Sequence, residues 1–134
     1  MKKLTSLDTS FDPSSVADLY NDWATLVVQY RQKNYDKLSD DERQDLKKYA
    51  MTLLDYVDEW SAENAADISD EVRAALNKTV VITGEIKKSI RNLNNIQKGI
   101  AVVSCMVGLG HSILSKNFAD INNSLNELME KWNS

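Results

Sequence analysis

The chain has 134 residues, enough for one domain and too few for two ordinary ones. Four Gly and one Pro argue against a loop-rich or all-β design, and 43% hydrophobic with 27% charged residues is a globular balance. One Cys excludes an internal disulfide, and one Cys with one His excludes the usual structural zinc sets, so neither metal nor cofactor is expected.

The opening MKKLTSLDTSFD carries two lysines but no apolar run, because Asp8 and Asp12 interrupt it. The expectation is a cytoplasmic protein with one domain over 1–134, of which residues 1–11 form a flexible N-terminal segment. Asp12 before Pro13 is an N-cap with proline at the first helical position. Val16, Leu19, Trp23, Leu26 and Tyr30 then recur at spacings of three and four, with Tyr20 and Val27 widening the stripe. Ser39-Asp40-Asp41-Glu42 reads as a capping box, with its acids on the positive end of the helix dipole. A second stripe follows in Leu46, Ala50, Leu53, Val57 and Trp60, flanked by Tyr49, Leu54 and Tyr56, and 62–67 reads as a connection.

From Ser69-Asp70-Glu71 onward one three-four frame runs from Val72 to Trp132 with no phase slip. It includes Ile86, Ile90, Leu93, Gln97, Ile100, Ser104, Val107, His111, Leu114, Phe118 and Ile121. Gly99 reads as a left-handed helix terminator, Gly108 and Gly110 as a second candidate break, and Asn117 as a cap for a final helix. The sequence therefore predicts an all-α, up-down bundle of about four helices, near 13–34, 40–62, 69–98 and 100–132. The alternative is an elongated helical hairpin in which one very long C-terminal helix runs past Gly99.

Gly99–Ser115 holds no charge unless His111 protonates. Ala101, Ser104, Cys105, Gly108 and Ser112 place small residues three and four apart, a surface on which another helix can approach closely or a membrane helix can pack. A helix of that length spans roughly 25 Å, short of the ~30 Å hydrocarbon core, so a buried central helix is the expected reading. His111 falls on the apolar frame and reads as a core histidine bonded to a carbonyl. Cys105 sits among small and apolar neighbours with no cation to activate it. No phosphate loop, nucleophile elbow or di-iron spacing stands in the chain, and the reading is a protein that is not an enzyme.

Charge is segregated. Residues 1–71 carry 8 Lys and Arg against 16 Asp and Glu, and residues 72–134 carry 8 against 4, which recovers the net charge of −4. Asp55, Asp58 and Glu59 project away from the second stripe, so they form an acidic outer face. Lys87, Lys88, Arg91 and Lys98 form a second, basic patch on the third helix. They lack interleaved aromatics, and the pI near 5.0 opposes nucleic-acid binding. The favoured function is a non-catalytic interaction module, of the inhibitor, immunity or adaptor kind, whose acidic face engages a basic protein. The alternatives are a membrane-active or pore-associated protein using 99–115, and a structural protein that forms homo-oligomers through the small-residue face.

Overall fold

The computed structural model describes residues 11–60, 68–90, 93 and 95–134, and among these every regular element is helical. The expected connection at 62–67 lies outside the described residues, as does most of the expected N-terminal segment. Its last residue, Phe11, is described and is buried in the core.

Each helix, or for α1 the 3-10 turn leading into it, begins where a short polar side chain serves the free amides of the first turn. The Asp12 side chain accepts from Ser14 N at 3.0 Å, and the single 3-10 turn Pro13–Ser15 leads into α1 (Val16–Lys33). That amide bond holds the Asp12 carboxyl below its ordinary range. At the start of α2 (Asp40–Glu59) both bonds of the capping box form. Glu42 N donates to Ser39 Oγ at 3.1 Å, and Ser39 N donates to Glu42 Oε1 at 2.8 Å. The Ser39 amide likewise holds Glu42 below the usual carboxylate range. Ser69 caps α3 (Asp70–Ser89), Asn95 caps α4 (Ile96–Ser115) and Asn117 caps α5 (Phe118–Asn133).

The bundle thus has five described helices rather than about four, and the long-hairpin alternative is excluded. The chain turns between Ser89 and Asn95, ahead of Gly99, and again at Lys116–Asn117. No described glycine adopts a left-handed backbone; Gly99, Gly108 and Gly110 all lie inside α4. The left-handed residue is Lys116, at φ 57° and ψ 17°, and its ammonium lies 5.5 Å from the centre of the Trp60 ring. Asn117→Ala should therefore cost about 1 kcal/mol in urea unfolding, the usual loss of a cap. Were α4 and α5 continuous, the better helix former would stabilise instead.

Five contacts set the directions. Trp60 Nε1 donates to Pro13 O at 3.1 Å, so α1 and α2 are antiparallel. Tyr20 donates to Gly110 O at 2.8 Å, while Tyr30 lies against Gly99, so α4 also opposes α1. Trp23 Nε1 donates to Thr83 Oγ1 at 3.0 Å, closing α3 onto α1. Lys98 Nζ reaches Ser134 O at 3.0 Å, which pairs the start of α4 with the end of α5. Round the bundle, α1 abuts α2, α2 abuts α4, α4 abuts α5 and α5 abuts α3. The charge of Arg73, near the start of α3, acts on Asp12 ahead of α1, so α3 runs with α1 and the arrangement is up-down-up-down-up.

The first stripe is buried throughout, with Val16, Tyr20, Trp23 and Val27 at 0% exposure. In α3 the predicted frame is buried as well, from Val72 to Ile90, and in α5 it is buried at Ile121, Leu125 and Leu128, whereas Phe118 is exposed and Trp132 half-buried. In α4 it slips by one position. The buried face there is Gly99, Val102, Val103, Met106, Leu109, Gly110 and Ile113, while Ser104 and His111 face solvent and Val107 is half-buried.

Candidate interaction surfaces

α2 shows the most developed outer face. Leu46, Ala50, Leu53 and Tyr56 turn inward, which forces Met51, Leu54, Asp55 and Asp58 outward on the opposite side. Asp55, Asp58 and Glu59 are all exposed and form no ion pair among the described residues. They occupy the last turn and a half of the helix, where no basic side chain stands in the last turn. Negative charge is disfavoured beside the unpaired carbonyls at a helix C-terminus. Met51 at 57% and Leu54 at 48% exposure set apolar surface beside these acids. Leu54 is therefore no flank of the core. The sequence signal was available: Met51, Leu54, Asp55 and Asp58 follow the same three-four spacing on the side opposite the stripe.

The basic patch does not hold together as predicted. Lys87 and Lys88 are exposed near the end of α3, and Lys87 Nζ lies 3.5 Å from Asp22 Oδ2 of α1. Lys98 belongs to α4, is half-buried, and lies 5.5 Å from the centre of the Trp132 ring. Arg91 lies outside the described residues. The cause is the turn after Ser89, which ends the single helix that would have aligned them. Lys87 and Lys88 also lie apart from Asp55, Asp58 and Glu59, since Lys87 meets Asp22 within α1 whereas the end of α2 meets Pro13 ahead of α1.

The small-residue face is more open than predicted. Ala101 and Cys105 are half-buried, Ser104 and Gly108 are exposed, and a Cβ on Gly108 would meet nothing within 4 Å. Ser112 alone of the set makes a close inter-helix polar contact, 2.6 Å between its Oγ and that of Ser124 in α5. Close approach occurs on the other side. A Cβ on Gly110 would lie 2.8 Å from the Tyr56 ring and 3.2 Å from the Tyr20 ring, and one on Gly99 would intrude on the Tyr30 ring and hydroxyl. Two of these tyrosines are held on this face by bonds to α4 carbonyls: Tyr20 donates to Gly110 O, and Tyr56 to Val107 O at 3.3 Å, while the buried Tyr30 hydroxyl has no partner among the described residues. Burial pushes the Tyr20 phenol well up and raises those of Tyr30 and Tyr56.

By length and composition α4 is long and apolar enough to cross a membrane, with mean hydropathy 1.4. In the structure it lies against α1, α2 and α5, with its apolar inner face covered. Burial, then the charge of Glu127, raises the Cys105 thiol above its ordinary value, keeping it in the less nucleophilic protonated form.

His111 is exposed, not a core residue. The one-position slip carries it outward, to a cleft of about 470 Å³ shared with Glu59, Leu114 and Ser115, its ring 6.5 Å from that of Tyr56. Glu59 is distant in sequence, so no local pattern could have paired the two. No group of three or more potential metal ligands gathers among the described residues. No family model, curated protein or solved structure matches this chain.

Proposed function

We propose that the protein is a non-catalytic interaction module whose α2 outer face engages a basic protein partner. The observation that carries this reading is the combination of three acids at a helix C-terminus, with no ion pair among the described residues, and exposed Met51 and Leu54 one turn away. Stability alone disfavours the placement of Asp58 and Glu59, since an acid in the last turn of a helix costs roughly 0.3–1 kcal/mol at low ionic strength. An apolar centre with a charged margin is also the usual anatomy of a protein-binding patch. The acids steer a cationic surface toward the face, and Met51 and Leu54 lose water when it arrives.

Asp55→Asn/Asp58→Asn/Glu59→Gln tests both halves of this argument. The triple variant should melt slightly above the native protein, because the unfavourable dipole interaction is removed. In affinity capture with the native chain as bait, a basic protein should be retained that the variant fails to hold. Its association with the native chain should slow as salt rises from low to physiological strength. Equal retention by both baits, or an association rate indifferent to salt, removes this face from the proposal.

A further inference from the structure

An open groove of about 330 Å³ runs between α3 and α5, with the buried Ile82 and Leu125 at its base and Val81 and Met129 on its walls. Val81 is 51% and Met129 38% exposed, so apolar surface extends from the groove onto its rim. Lys78 and Glu85 complete the α3 side, both exposed, and neither makes an ion pair among the described residues. They stand two helical turns apart on one side of α3, roughly 10 Å along the axis, too far to meet each other. Val81 lies between them.

We propose that this face is the interface of a two-fold symmetric dimer, in which α3 crosses α3 of a second copy antiparallel beside Val81. The charge pattern selects that partner and that direction. Antiparallel pairing about the midpoint between Lys78 and Glu85 sets each Lys78 opposite the second copy's Glu85, twice over by symmetry. A parallel crossing would oppose lysine to lysine and glutamate to glutamate, and like charges across an interface are repulsive. The apolar strip between the pairs is the part that loses water, and Met129, unbranched and pliable, fills the irregular space above the groove. α2 packs on α1 and α4, so its acidic face remains free in this dimer and the two surfaces are independent.

Sedimentation of the full chain from low-micromolar to submillimolar concentration tests the dimer. The native protein should self-associate, more weakly as salt rises. Lys78→Glu and Glu85→Lys should each weaken self-association at least tenfold while leaving helix content by circular dichroism unchanged, since both positions are exposed. Mixing the two variants should restore dimers, because each then meets a surface of opposite pattern. A native protein that stays monomeric across the range overturns the proposal. So does a pair of single reversals that leave association untouched, or a mixture that associates no better than its components.

Discussion

Met106→Asp should leave the chain unfolded or aggregated, whereas Ser104→Asp, two residues earlier on the same helix, should change stability by no more than about 0.5 kcal/mol. Met106 is 1% exposed on the inner face of α4, among Val102, Val103 and Leu109, and a charge there finds no partner among those neighbours. Burying an unpaired carboxylate costs several kcal/mol, a large share of the ~5–15 kcal/mol that holds a domain of this size together. Ser104 points to solvent, so its new carboxylate stays hydrated. The pair also distinguishes the two phases of α4, because the frame that continues from α3 places Ser104 inward and Met106 off the seam. Far-ultraviolet circular dichroism and urea unfolding of both variants give the answer; a folded Met106→Asp protein would restore that frame.

Two glycines on the same helix should respond with opposite sign. Gly108→Ala should raise stability by about 1 kcal/mol, because alanine is the better helix former and its methyl meets open space. A gain of that size moves the melting point of a chain this long by roughly 4 °C. Gly110→Leu should lower stability by about 1–3 kcal/mol despite the same propensity gain. Its first carbon already falls 2.8 Å from the Tyr56 ring, and the rest must displace that ring or Tyr20. Moving Tyr20 also strains the bond to Gly110 O, worth about 1 kcal/mol when intact. Stabilisation by both substitutions would mean that the tyrosines do not press on this face.

These contrasts show where the sequence was legible. α1 and α2 have one apolar stripe each and start signals close ahead of them, so most inward residues could be read directly, Leu54 being the exception because α2 also carries apolar side chains on its outer face. The all-α class followed from the same periodicity and from the scarcity of Gly and Pro. α4 lacked such contrast. With apolar or small side chains on nearly every side, its sequence fits several rotations about its own axis equally well, and only its neighbours choose among them. Extending the α3 phase across the turn before Asn95 treated two separate helices as one rotor, which misplaced Ser104, His111 and Gly110 together. The acidic face was visible because it depends on α2 alone. The cleft joining His111 to Glu59, and the groove between α3 and α5, arise from helices distant in sequence, for which one chain offers no local signal.

The indole of Trp23 joins α1 to α3 across a sequence separation of 60 residues, and its bond to Thr83 is fully buried. Trp60 stands at the end of α2, and Trp132 lies beneath Lys98 at the far end of the bundle. The protein consequently carries its own fluorescent clock. Emission from Trp23 reports when the first and third helices close on each other, a contact whose long sequence separation makes its closure costly in chain entropy. Trp132 reports the local α4–α5 hairpin, whose shorter loop can close sooner. Changing one indole at a time would turn a single refolding trace into an order of assembly, with the long-range junction expected last.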